Sequence, residues 1–166
     1  MRATMSSSNI GMQHHDDHAT AHLVERTLVH TMATVVGIFF VFLAFGGFVY
    51  PDYLGMHLNT THSLIHLVSG AAAMYFGLFG TTSGASLFCV TMGAIYGALA
   101  LAGFAFGAPG EPTLGGTLHI MDTQLIRIIP GTLELGASDH VLHLLLGAVF
   151  IVSGFLGWLG TDEEHP

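Results

Sequence analysis

Four apolar runs dominate this chain, and no Asp, Glu, Lys or Arg stands in the middle of any of them. They cover roughly residues 28–50, 60–81, 85–107 and 139–160. Each can cross a bilayer, which takes about 20 largely apolar residues. A backbone in hydrocarbon must satisfy its own hydrogen bonds, and four segments cannot close a barrel, so the runs must be helices. Burial of the same helices in a soluble bundle fails on composition. Only 8% of the residues are charged, against about 25% in soluble domains. Arg2, Arg26 and Arg127 are the only basic residues. The expected fold is all-α: a four-transmembrane-helix bundle whose main partner is the lipid bilayer. Nucleic-acid binding is excluded, because it needs a basic patch.

The flanking segments set the remaining organisation. Residues 1–27 form a polar tail with the run His14-His15-Asp16-Asp17-His18, helical from about Ala19. Its charged part and the apolar run after it are both too long for a signal peptide. His14, His15, Asp16, Asp17, His18 and His22 could hold a transition metal, although a flexible tail loses ordering entropy in doing so. The long stretch 108–138 contains Asp122, Arg127 and Glu134 and is read as an interfacial segment or an irregular loop. Thr82-Ser83-Gly84 joins spans two and three tightly, which predicts that they pack as antiparallel neighbours. Residues 161–166 are an acidic tail. Basic residues favour the cytoplasm, so both termini are expected there. Cys89 lies in an apolar span and is expected to be an inert core thiol.

Spans two and four begin alike. His62-Ser63-Leu64-Ile65-His66-Leu67-Val68-Ser69-Gly70 aligns with Asp139-His140-Val141-Leu142-His143-Leu144-Leu145-Leu146-Gly147. His66 then meets His143, and further glycines coincide. The bundle thus reads as two helix hairpins related as parallel repeats about an axis along the membrane normal. At about 100° per residue, His62, His66, Gly70, Ala73, Gly77 and Gly80 share one stripe. Asp139, His143, Gly147, Phe150, Gly154 and Gly157 share the matching one. The stripes are expected to face each other, bringing His62, His66, Asp139 and His143 together at one membrane face.

Three chemistries fit such a cluster. In the first, polar side chains cap helices and bond across a contact made by the small residues. In the second, three imidazoles and a carboxylate bind a transition metal such as Zn²⁺, Cu²⁺ or Fe²⁺. In the third, His66 and His143 are axial ligands of a tetrapyrrole, either haem or a chlorophyll-type pigment. Twelve histidines also suit a membrane pH sensor. No G-x-S-x-G, P-loop, dinucleotide fingerprint or H-E-x-x-H is present, so no enzymatic activity is expected.

The segments Leu58-Asn59-Thr60-Thr61-His62-Ser63-Leu64-Ile65-His66-Leu67 and Ala137-Ser138-Asp139-His140-Val141-Leu142-His143-Leu144-Leu145-Leu146-Gly147 resemble a family of small bacterial four-helix membrane proteins. That family is known only as a domain of unknown function. The resemblance covers about residues 50–160 and rests on N-x-x-H-x-x-x-H-L and D-x-x-x-H-L helix starts. It implies a four-helix fold in a bacterial inner membrane and no particular activity. The leading expectation is a packing or accessory subunit of a membrane assembly, with metal or tetrapyrrole binding through His66 and His143 as the alternative.

Overall fold

The computed structural model describes residues 8–113 and 121–159, with side chains along the first helix described for Val24 and from Thr27 onward. Four long helices carry the chain: α1 (Ser8–Val49), α2 (Thr60–Phe79), α3 (Thr82–Phe106) and α4 (Ala137–Leu159). Thr27–Val49 of α1 and the whole of the other three are long and apolar enough to cross a membrane. The outward faces agree. Phe42, Val68, Phe79, Leu101 and Phe106 are each 64% to 78% exposed, a surface that suits lipid and not water. The chain is therefore a multi-pass, four-helix membrane protein.

The expected spans fall within a few residues of these helices, but α1 does not begin near Ala19. It takes in most of the stretch read as a tail, which contains no proline to stop a helix. The side chains of His14, His15, Asp16, Asp17, His18 and His22, and the acidic residues 161–166, lie outside what is described.

Helix ends follow local chemistry. Pro51 follows α1. Asn59 caps α2 by accepting from the His62 N–H at 3.0 Å, and Gly80 closes its far end. The link to α3 is shorter than expected: Thr81 is already the cap of α3, accepting from the Gly84 N–H at 3.1 Å. Thr82-Ser83-Gly84 is thus the first turn of α3.

Despite that tight link, α2 and α3 touch only lightly; α1 packs on α2, α3 packs on α4, and α1 joins the two pairs through α4. Small residues decide this. A Cβ built on Gly37 would stand 2.8 Å from the Gly70 carbonyl oxygen, and one on Gly70 would stand 2.8 Å from that of Gly37. In the other hairpin, a Cβ on Gly93 would stand 2.9 Å from the Gly147 oxygen, and one on Gly147 would stand 3.1 Å from that of Gly93. Backbones approach this closely only where side chains are missing, which is how helices gain contact in lipid.

The glycine stripes therefore do not face each other. Gly70 and Gly77 lie against α1, and Gly147 and Gly154 lie against α3. Gly157 meets Ser86 and Val29, and the atoms nearest a Cβ on Gly80 are those of Phe76 in the preceding helix. The centre between the hairpins is filled by the rings of Phe40, Tyr96 and Phe150, with centroids 5.1 to 6.5 Å apart.

The stretch read as a loop or interfacial segment is a small antiparallel sheet, β1 (Ala108–Gly110), β2 (Asp122–Ile129) and β3 (Leu133–Leu135), in that spatial order. Arg127 pairs with Glu134 in register, and Pro130-Gly131 makes the turn, with Gly131 at φ +74°. The β-branched residues of Asp122–Ile129 followed by Pro-Gly carry the strand and turn signal that the loop reading passed over. Glu134 is buried and anchors the sheet: it accepts from the N–H groups of Thr113 and Gly131 and from the Thr113 hydroxyl. The Arg127 Nε lies 3.3 Å away. The sheet lies over the end of the bundle where α2 and α4 begin.

If the glycine crossings hold the hairpins, Gly70→Val and Gly147→Val each lose about 1–3 kcal/mol through forced helix separation. Gly97→Ala, whose Cβ would meet nothing within 4 Å, is neutral or slightly stabilising. Thermal unfolding in a mild detergent reads the difference.

Candidate metal centre

Three histidines from two helices converge beneath the sheet. His62 and His66 stand one turn apart on α2, with rings stacked at 4.6 Å. His143 comes from the second turn of α4, 5.8 Å from His62 and 6.1 Å from His66 by ring centroids. One ring nitrogen from each lies within 4.8 Å of the other two. All three side chains are buried, at 1% to 2% exposure. The expected meeting of the polar helix starts is therefore observed, although the glycines below them face elsewhere.

Their hydrogen bonding is incomplete. The His62 Nδ1 lies 3.0 Å from the His57 carbonyl oxygen. A carbonyl only accepts, so the proton is on Nδ1 and the lone pair on Nε2. Both ring nitrogens of His66 and the Nδ1 of His143 are buried with no hydrogen-bond partner among the described residues. An unsatisfied buried polar atom costs about 1–3 kcal/mol, so three in one cluster form the least satisfied part of the bundle.

Asp139, the fourth expected ligand, stands beside this group and outside it. Its Oδ2 accepts from the N–H of Gly136 at 2.8 Å and of His57 at 3.1 Å. The first bond reaches back to the start of α4, as the acidic residue of a capping box does. Its Oδ1 has no hydrogen-bond partner among the described residues and lies 3.9 Å from the His62 Nδ1. Asp139 thus places a carboxyl group behind His62.

Below the cluster, Phe40 lies 5.0 Å from His66 and Tyr96 lies 5.0 Å from His143. Beside it, where α2 and α3 part, is a cleft of about 230 Å³ bordered by all three histidines, Ser69 and Tyr96. The other described residues of its wall are apolar: Met92, and aliphatic side chains including Ile65 and Ile95 from the two helices and Leu133 and Leu135 from the sheet.

Several contributing residues were not singled out from sequence. His57 donates from Nε2 to the Asp122 carboxylate at 3.2 Å. Asp122 also accepts from the N–H of Gln124 at 2.8 Å and of Ala137 at 3.2 Å. His140 is fully buried and donates from Nε2 to the Gln124 carbonyl at 2.7 Å. The His140 ring fits against α3 only because Gly103 has no side chain. Sequence signals existed for two of them: Tyr96 lies on the small-residue stripe of α3, and His140 lies inside the helix-four motif. His57 and Asp122 are joined only by the fold.

No family model, no curated protein and no solved structure matches the chain.

Burial pushes the Asp122 carboxyl upward, but the Gln124 and Ala137 amides and His57 outweigh it, so its pKa falls below the ordinary 3.8. A carboxylate favoured in the folded state stabilises it above that ordinary value and ceases to do so as pH falls through the lowered one. Thermal midpoints of the wild type should therefore drop as pH is taken below about 4, and Asp122→Asn should lower the midpoint at neutral pH while flattening that drop.

Proposed function

We propose that this protein is an integral membrane metal-binding protein, with a single first-row transition ion held by His62, His66 and His143. The observation that carries the reading is the buried His66 ring, with neither nitrogen partnered, beside two other imidazoles. Neutral imidazole suits Zn²⁺, Co²⁺ and Cu²⁺. Metal–nitrogen bonds of about 2.0–2.1 Å put tetrahedral ligand atoms about 3.3 Å apart, so small side-chain rotations would close the present spread. The His57 carbonyl orients His62, and Asp139 lies behind it. Such outer partners fix the imidazole tautomer and offset part of the ion's charge.

The role of packing or accessory subunit accounts for the glycine crossings but leaves these nitrogens without a purpose. A tetrapyrrole fits less well. The His62 ring stacks on His66, and Tyr96 lies against His143, leaving no flat gap between the two axial candidates.

The repeat belongs to the same proposal. The buried residues His62, Ser63, His66, Gly70, Ala73 and Gly77 of α2 correspond one for one to Asp139, His140, His143, Gly147, Phe150 and Gly154 of α4. We read the hairpins as parallel repeats in which the second copy exchanged one histidine for the charge-balancing Asp139. With both termini cytoplasmic, as Arg2 and Arg26 favour, the centre lies near the outer face.

Protein purified without chelators and offered Zn²⁺, Co²⁺ or Cu²⁺ should retain a single equivalent of one of them by elemental analysis. His66→Ala and His143→Ala should abolish binding, and Asp139→Asn should weaken it by about 10–100-fold. At a hundred times Kd the ion should add about 2.7 kcal/mol of stability to the wild type alone. A folded wild type that takes up none of the three ions sinks the reading.

A further inference from the structure

We infer that the open coordination position of this centre is reached sideways from the bilayer, and that it takes an uncharged, lipid-soluble molecule of about one ring's size carrying a donor nitrogen or oxygen. The inference rests on the metal reading above and names the class of ligand that the centre would accept.

Three observations carry it. First, the way in lies on the lipid side. The cleft at the histidines lies where α2 and α3 part, and its wall includes Ile65 at 41% and Ile95 at 48% exposure, on membrane-spanning helices. Secondly, the water side is roofed. Leu133 and Leu135 of β3 border the same cleft, and Leu135 is buried. The anchoring of Glu134 between them to Thr113 and Gly131 holds that roof down. Thirdly, size and polarity select the occupant. About 230 Å³ exceeds the roughly 150 Å³ of an engineered apolar cavity that admits benzene. No Asp, Glu, Lys or Arg among the described residues borders the cleft, and an ion is disfavoured in the lipid it would have to cross to reach that mouth. Three imidazoles leave a four-coordinate ion one place for an outside donor, and the cleft is the space beside them.

The occupant's donor atom would meet the ion, its ring would lie between Ile65 and Ile95, and Ser69 and Tyr96 would offer hydroxyl groups at its flank. No bond in the occupant needs to break for this binding.

The test uses the full chain in lipid nanodiscs loaded with Co²⁺, whose visible d–d bands report a change of ligand. The probes are 4-ethylpyridine, uncharged at pH 8, and azide, a small anion delivered from water. The expected result is that 4-ethylpyridine, which concentrates in the bilayer at the mouth of the cleft, shifts the bands at a concentration more than about tenfold lower than azide, which stays in the water on the roofed side. Ile95→Trp, which adds bulk at a lipid-exposed wall, should weaken the 4-ethylpyridine response at least as far at equal cobalt occupancy; Ile65→Trp is the second blocking variant. Bound cobalt whose spectrum ignores 4-ethylpyridine, or answers azide equally well, overturns lateral entry while leaving the metal centre standing. So does an unchanged response in both tryptophan variants. A folded protein that binds no cobalt overturns this inference, and one that takes up none of Zn²⁺, Co²⁺ and Cu²⁺ removes the metal reading with it.

Discussion

Helices in lipid gain little from hiding apolar surface, so they pair where their backbones can come close. Here that happens twice, at Gly37 against Gly70 and at Gly93 against Gly147. Those two crossings account for the plan of the molecule. They commit α2 to α1 and α4 to α3, and they leave α2 and α3 lightly in contact although only a capping pair joins them. Between the hairpins Gly157 comes close to Val29 of α1, and elsewhere Phe40, Tyr96 and Phe150 fill the space. Where that aromatic packing ends, the three histidines begin.

The polar end of the bundle obeys a different constraint. With so few charged residues available, the buried carboxylates of Asp139 and Glu134 and the half-buried one of Asp122 serve backbone amides. Asp139 holds Gly136 and His57, Asp122 holds Gln124 and Ala137, and Glu134 holds Thr113 and Gly131. These bonds tie the loop before α2, the sheet and the start of α4 into one cap. They also explain why Asp139 is not freely presented toward the imidazoles. One of its oxygens is spent on the backbone, and the other stands behind His62.

The parts of this fold written in local chemistry were legible in the sequence. Four apolar runs without mid-span charge leave no alternative to four helices, and the shared His-Leu starts of spans two and four carried His66 and His143 to one place. What could not be read depended on choices among similar surfaces. A helical wheel shows that Gly70 and Gly147 lie on a narrow face, but not which neighbour takes that face. α1 and α3 offer Gly37 and Gly93, and that decides it. The sheet was passed over because its strands are short and sit among turn residues, although Pro130-Gly131 after a β-branched run signals a hairpin. His57 and Asp122 are far apart in sequence, and no spacing rule would have joined them.

Asn59 has two partners whose combination has a thermodynamic consequence. Its side-chain oxygen accepts from the His62 N–H while its amide donates to the Thr132 carbonyl in the turn between β2 and β3, both at 3.0 Å. One side chain thus grips the first turn of a membrane helix and the hairpin lying over it. Any occupant that binds the histidines more tightly with this hairpin seated must, by linkage, hold the hairpin down by the same free energy. The extramembrane cap and the intramembrane cluster are then one cooperative unit, and ligand occupancy can be read at the protein surface through hydrogen exchange of the β2–β3 turn.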